Sequence, residues 1–343
     1  MQSAIGRLAR LGLYGGALVV GALLAHAPRA GVARPRVELP TAPGVAQVHA
    51  SELLMTNSVR PNDELVPDRQ PTRAPAAYGG GRIIEGSTPH RLIFFTFDDG
   101  PDRRTTPLLL DRLDAVGVKA AFFLTAGRIA GRNAMEREQA SLAREIVARG
   151  HLIGNHTVDH LQLPLLSDSA AAAQVVGAET IFKRVLGFRP VLMRPPGGAR
   201  SARIDELLAQ RGYTTVLWNL GAGDFQVKSA REVLEVFRKV LERRERENGD
   251  RGGVVLLHDT YAWSVDAFQL IWAELWSRNC QLLARGEELY DIVPDLSYFF
   301  QPRAAAAASE IAEPARPSAQ ILRERQTRLR VEAKQRCSAT DGF

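Results

Sequence analysis

Between Leu92 and about residue 295, short apolar runs alternate with helical stretches six or seven times, and few folds accommodate that order. Strands are predicted at Leu92 to Phe97, Ala120 to Leu124, His151 to Gly154, Val191 to Met193, Thr214 to Trp218 and Val254 to Leu257, with a weaker one at Gln281 to Leu283. Helices are predicted between them, and their ends are readable. Thr106 is placed to cap a helix that opens with Pro107, and Glu136 to Arg149 stops at Gly150. Ser167 precedes an Ala-rich helix that stops at Gly187, Ser201 one that stops at Gly212, and Ser229 opens Ala230 to Glu245. A strand followed by a helix, repeated, makes a parallel sheet with covering helices in one α/β domain of about 200 residues. The alternation alone fits an open sheet and a closed barrel equally.

The polar clusters favour a barrel or a barrel-like sheet, because they follow the strands. Asp98-Asp99 follows the first, Asn155 to His160 the third, Arg194-Pro195-Pro196-Gly197-Gly198 the fourth, and His258-Asp259 the sixth, while Asp224 trails the fifth. Sites in such folds gather at the carboxyl ends of the strands, so these clusters would converge on one mouth.

Two adjacent acids at the end of a buried strand are costly unless a cation or a proton transfer uses them. The plainer alternative is a solvated Asp-Asp-Gly turn. His156 and His160, four residues apart, suit two ligands of one ion. One carboxylate of the Asp98-Asp99 pair completes a two-His, one-Asp set with positions left open for water and substrate. Zinc is the first expectation from these ligand types, and cobalt, nickel or iron would also be accepted. The other carboxylate is then free to act as a general base, with Arg194 as a neighbouring cation. Gly197 and Gly198 allow close backbone approach, so an amide N–H there could face a developing oxyanion. His258 is placed to protonate a leaving group, against the plainer reading of a core-edge histidine paired with Asp259.

Taken together, Thr96-Phe97-Asp98-Asp99-Gly100-Pro101, His156-Thr157-Val158-Asp159-His160, Arg194-Pro195-Pro196-Gly197-Gly198 and Leu256-Leu257-His258-Asp259 resemble, in order and spacing, the NodB-homology polysaccharide deacetylases of carbohydrate esterase family 4. The resemblance covers about residues 90 to 295. It implies a distorted (β/α) barrel of about seven parallel strands that removes N-acetyl, or in some members O-acetyl, groups from polysaccharide with a metal-activated water. It also implies that Asp98 is the base and that Asp99, His156 and His160 hold the metal. Arg194 would orient Asp98, the Gly197 backbone would help hold the oxyanion, Leu256 would line the acetyl pocket, and His258 would be the acid. The chain departs from the family at Gly197, where many members carry an aromatic residue. It also has Asp224-Phe225 in place of an Asp-Trp element, and Gly221 where a further acid often occurs. Asp224 would still pair with His258.

The ends of the 343-residue chain read differently. Arg7 and Arg10, an apolar stretch from Leu11 to Leu24, and Ala25-His26-Ala27 read as an export signal or membrane anchor over residues 1–33. A Pro/Ala/Arg-rich linker is expected over 34–88 and the deacetylase domain over 89–298. Much of the formal charge of +6 sits outside the folded part; a tail over 299–343 holds Arg303, Arg316, Arg323, Arg325, Arg328, Arg330, Lys334 and Arg336 and is read as solvated or as a frayed helix. A nucleic-acid binder would instead line a folded surface with that charge. Two cysteines, Cys280 and Cys337, are too few for a disulfide framework, and whether they pair is left open. The expectation is an exported monomer of the cell envelope or its surroundings acting on an acetylated glycan such as peptidoglycan or chitin. Its rivals are an O-acetyl polysaccharide esterase and a non-catalytic glycan-binding module.

Overall fold

Counting in twos along the strands separates two sets of side chains, and the computed structural model, which describes residues 80–300 and 317–338, buries them in different places. In chain order the elements are β1 (Ile83–Ile84), β2 (Leu92–Asp98), α1 (Thr106–Ala115), β3 (Ala121–Leu124), α2 (Ala134–Ala148), β4 (Leu152–Asn155), α3 (Asp168–Leu186) and β5 (Leu192–Met193). Then come α4 (Ala202–Gln210), β6 (Thr214–Val216), β7 (Leu220–Gly221), α5 (Ala230–Asn248), β8 (Gly253–His258), α6 (Ala262–Ala284), β9 (Asp291–Ile292) and α7 (Ala319–Ser338). On β2, Ile93, Phe95 and Phe97 pack against the helices, together with Phe122 of β3, Phe237 of α5 and Phe268 of α6. Leu92 and Phe94 face the other way and share a second core with Phe123, Leu152, Leu192, Val216 and Val254. A strand buried on both faces needs apolar residues at every position, which is why β2 reads as a continuous apolar run.

The strand pairs are parallel, and the path runs β1-β6-β5-β4-β3-β2-β8-β7, with β9 joined to β2. β6 and β7 belong to one stretch over residues 214–221, bent at Asn219. Its first half bonds to β5 and its second half to β8, so the chain itself joins the two ends of the path. The sheet thereby curls into the expected distorted barrel, with the second core as its interior. The two-residue strands β1, β7 and β9 were not predicted, because two residues show no period.

Serine and asparagine caps set the helix starts. Ser167, Ser201 and Ser229 accept from the backbone N–H three residues on, as does Asn133 at the start of α2, and each such cap stabilises by about 1 kcal/mol. Thr106 is not a cap; it is the first residue of α1, and its hydroxyl accepts from Asp102 N at 2.8 Å.

Two expectations are corrected. The strand expected at Gln281 to Leu283 is the last turn of α6, where Phe268, Ile271, Leu275 and Leu282 recur at helical spacing and are buried. The tail expected to be solvated or frayed contains α7, a docked helix. Cys337 is disulfide-bonded to Cys280 of α6, Ala333 is fully buried, and Arg325 grips Asp291 through two bonds of 2.6 and 2.7 Å. The Gln326 side chain satisfies both the N–H and the carbonyl of Leu289 at 2.9 Å each, and the Arg336 guanidinium lies 4.7 Å from the Trp276 ring centroid. α7 is held by polar groups and one covalent bond, so hydrophobic periodicity could not reveal it.

Among the described residues no helix is long and apolar enough to cross a membrane. The export signal or anchor, and the linker up to residue 79, lie outside the described residues.

Candidate active site

The interior face of the barrel changes character along each strand. Leu92 and Phe94 are followed on the same face of β2 by Thr96 and Asp98, Leu152 and Gly154 of β4 lead to His156, Leu192 of β5 leads to Arg194, and Val254 and Leu256 of β8 lead to His258. The site is the uppermost, polar layer of the barrel interior. Register closes it further: Asp98 is paired with His258 across β2 and β8, and with Phe123 across β2 and β3.

Asp98 is buried, and Arg194 Nη1 donates to its Oδ1 at 2.7 Å. Arg194 is itself wholly buried. Its Nε donates to the Val216 carbonyl at 2.9 Å, Nη1 also donates to Thr96 Oγ1 at 2.8 Å, and Nη2 donates to the Leu217 carbonyl at 3.2 Å. The guanidinium lies 4.2 Å from the Phe123 ring centroid and 5.3 Å from that of Trp218. A cation fixed at this many points holds the Asp98 carboxylate in one orientation. That leaves Oδ2 facing the site, 3.8 Å from His156 Nε2.

Asp99 turns the other way because its backbone is left-handed, with φ of 74°. Its Oδ1 lies 3.4 Å from His156 Nε2 and 3.1 Å from His160 Nε2. Burial disfavours its charge, but hydrogen bonding and Coulomb attraction from the two imidazoles outweigh that and hold the carboxyl well below the usual range. His156 Nδ1 lies 2.6 Å from the Arg194 carbonyl, which can only accept, so Nδ1 carries the proton and Nε2 presents its lone pair. Thr157 and His160 also adopt positive φ, 67° and 60°, and Thr157 Oγ1 accepts from His160 N at 3.0 Å. This tight turn brings the half-exposed His160 back over Asp99, and hydrogen bonding to Asp99 raises its proton affinity.

The donor set fits a metal. The ligand atoms of Asp99, His156 and His160 lie within 4.8 Å of one another, and the buried Asp99 Oδ1 is faced by the two imidazoles. An ion would satisfy that oxygen and both Nε2 lone pairs at once.

On the other side of the mouth His258 meets Asp224. Its Nδ1 lies 2.9 Å from Asp224 Oδ1, and its backbone N–H donates to Oδ2 at 2.7 Å. Burial works against the imidazolium, but Asp224, with Asp98 and Asp99 behind it, outweighs burial and pushes the His258 pKa up to about 9. Ser264 Oγ donates to Asp224 Oδ2 at 2.6 Å, and Trp263 Nε1 donates to the Asp224 carbonyl at 2.8 Å. Asp259 is not the partner of His258. It is fully buried beneath Gly100, accepts from Thr106 Oγ1, and burial pushes its pKa up to about 7. A side chain at Gly100 would collide with it.

The site residues expected from the sequence therefore come together: Asp98, Asp99, His156, His160 and Arg194 form one network, and the His258–Asp224 pair stands beside it through the register of Asp98 with His258. Leu256 is buried and paired with Thr96 in the layer below, and Gly197 is exposed in the turn after Arg194 with φ of 64°. Sequence reasoning missed Thr96, Ser264 and Trp263. Thr96 was findable by counting back two from Asp98; Ser264 and Trp263 sit at the start of α6, where no motif marks them.

The sequence model for polysaccharide deacetylase matches residues 85–216. A peptidoglycan-N-acetylglucosamine deacetylase of Bacillus cereus is 30% identical over 169 residues, 49% of this chain and 73% of that protein. The peptidoglycan-N-acetylmuramic acid deacetylase PdaC of Bacillus subtilis is 31% identical over 193 residues, 56% of this chain and 38% of PdaC. A second Bacillus cereus relative is matched over 66% of its length, so the chain spans less than two thirds of some of the curated relatives it matches. The solved structure of a chitin deacetylase from Colletotrichum lindemuthianum superposes with a TM-score of 0.51 at 28% identity, covering 58% of this chain and 87% of that one. A crystal structure of a peptidoglycan N-acetylglucosamine deacetylase superposes with a TM-score of 0.51 at 27% identity, covering 66% and 94%. By sequence and fold, the chain belongs to the polysaccharide deacetylase family.

Proposed function

We propose that this protein is a metal-dependent hydrolase that removes N-acetyl groups from an amino-sugar polysaccharide of the peptidoglycan or chitin type. The observation that carries the reading is the divergence of two neighbouring acids: Asp98 is turned to a buried arginine and Asp99 to two imidazoles. A glycan-binding module would have no use for a fixed carboxylate beside a metal set. The names of the relatives, peptidoglycan and chitin deacetylases, support the amide over the ester.

Asp99, His156 and His160 would hold one divalent ion, zinc first by ligand type, with cobalt, nickel or iron also accommodated. When bound, the ion supplies the positive charge that acidifies a water and polarises the acetyl carbonyl. Asp98 Oδ2 faces that position and takes the proton as general base, while Arg194 keeps the carboxylate oriented. The Gly197 N–H helps hold the oxyanion, and Leu256 lines the space for the acetyl methyl. His258, kept protonated by Asp224, donates to the departing nitrogen, which an amine leaving group requires. The products are acetate and a free amine. The N-terminal segment directs export to the cell envelope or beyond, and the protein acts as a monomer.

The test is acetate release by the full-length chain from N-acetylglucosamine oligomers, peptidoglycan and acetylxylan, with each metal restored after chelation and Asp98→Asn alongside. Release that needs metal and Asp98 and favours an amide substrate is the expected result. Release from acetylxylan alone would make it an esterase, and glycan binding without any release would make it a binding module.

A further inference from the structure

Beneath the turn that carries the two imidazoles runs a buried line of polar groups that the chemistry above does not use. Thr157, between His156 and His160, is a β-branched residue with a left-handed backbone, a conformation that persists only where its surroundings impose it. Asn155 imposes it. The Asn155 side chain is fully buried, and its Oδ1 accepts from Thr157 N at 2.8 Å, closing a turn around His156. That N–H can only donate, so the amide has one orientation. Its Nδ2 points the other way and donates to the Tyr213 hydroxyl at 2.9 Å and, at 3.4 Å, to the Val175 carbonyl.

Tyr213 is fully buried as well, and its hydroxyl, accepting from Asn155, gives its own proton to a hydrogen bond with Glu179. Burial disfavours the Glu179 carboxylate, but Arg211, which donates to its two oxygens at 2.9 and 2.6 Å, and Tyr213 outweigh burial and hold the carboxyl below its usual range. Arg189 fixes the far end, with its guanidinium 4.9 Å from the Tyr213 ring centroid and a bond of 2.8 Å to the Arg211 carbonyl. Each link from Arg211 through Glu179, Tyr213 and Asn155 to Thr157 therefore has one direction, and a chain of such bonds away from water is stiff. At its end Thr157 Oγ1 accepts from His160 N, so what fixes Thr157 also fixes His160 over Asp99.

We propose that Asn155, held by Tyr213 and Glu179, is a positioning residue for the two imidazoles, so that the Tyr213 hydroxyl sets the affinity for a divalent ion from outside the ligand set. This role rests on the metal-dependent reading above, while the turn it maintains is measurable without metal. The full-length chain would be titrated with zinc in a calorimeter and, freed of metal by chelation, followed by amide hydrogen exchange over residues 155–160. Tyr213→Phe keeps the ring beside Arg189 and removes only the hydroxyl; Asn155→Ala removes the anchor itself. Both are expected to weaken zinc binding by about tenfold or more, as the loss of an outer-shell partner does. Both should also speed exchange at Thr157 and His160, relative to β2, by at least about tenfold. Phe237→Leu, in the core beneath α5, lowers stability too but should leave zinc affinity at the wild-type value. Unchanged zinc affinity in Tyr213→Phe, or in Asn155→Ala should the first not fold, would overturn the proposal. So would an equal loss in Phe237→Leu. If the wild type binds no zinc, the metal-dependent reading falls and exchange decides the rest: faster exchange in the variants upholds the positioning of the turn, and unchanged exchange overturns it as well.

Discussion

Arg91 precedes β2 and Asp98-Asp99 end it, and the charges at these two ends are settled in opposite ways. At the lower end cations meet anions. Arg91 reaches Glu245 at 3.3 Å and Glu287 at 3.1 Å, Arg251 reaches Glu288 at 2.6 Å, and Arg325 holds Asp291 with two bonds. A cavity of about 520 Å³ opens there, and it is lined by Arg238, Glu242, Glu274 and Arg278, which are already paired with one another. At the upper end, one buried arginine serves Asp98, while Asp99 and two imidazoles turn their lone pairs on one another. The difference teaches where to look for chemistry. Charges neutralised by one another around a hollow are architecture, and ligand atoms that converge on one another are a site.

The strongest way to break this contrast is at the upper end. Asp98→Asn keeps the shape and removes the base, and acetate release should fall by about a thousandfold with the melting temperature close to wild type. A smaller loss would mean that another group takes the proton. At the lower end, reducing the Cys280–Cys337 bond, which closes a separation of 57 residues, should cost about 4 kcal/mol by loop entropy. Denaturant unfolding measures that, and because α7 lies far from the donors, zinc affinity in Cys280→Ser should match wild type. Returning to the mouth, His160→Ala removes one of three ligands and should weaken zinc binding by more than about a hundredfold in calorimetry, beyond what losing an outer-shell partner costs.

Two further predictions sharpen the contrast through pH. His258 is held protonated to about pH 9, so activity that needs its proton should fall as the pH rises through that value. Asp224→Asn should move this alkaline limb to lower pH by more than one unit while leaving the acid limb in place. The smallest effect belongs to His151, buried at the lower end. Its Nδ1 accepts from Ala120 N, its Nε2 has no partner, and burial depresses its pKa from 6.5 to about 4. The unfolded chain binds that proton more readily, so stability is full above about pH 6.5 and declines as the pH falls toward 4. Urea unfolding of His151→Gln at two pH values should show a flatter decline.

Much of this was legible before any coordinates. The strand and helix alternation, the serine caps and the strand-end clusters depend on periods of two and 3.6 residues and on contacts within one turn, which a linear chain displays directly. The interior rows could be counted as well, since Asp98 and Thr96 lie on the same face as Phe94. The weak strand at Gln281 to Leu283 failed because a short apolar run carries both periods at once.

The sequence by itself determined which groups stand at the mouth: a carboxylate pair, two imidazoles, an arginine and an acid-paired histidine, each at the end of a strand. Tertiary structure decided what each of them does. Only the left-handed turn at Asp99 separates one carboxylate for Arg194 from one for the imidazoles, and only the docking of α6 brings Ser264 and Trp263 onto Asp224. Only packing seats a polar helix against Asp291 and brings Cys337 to Cys280. Such pairings join groups far apart in the chain, and their energies depend on burial and orientation, which no local period encodes.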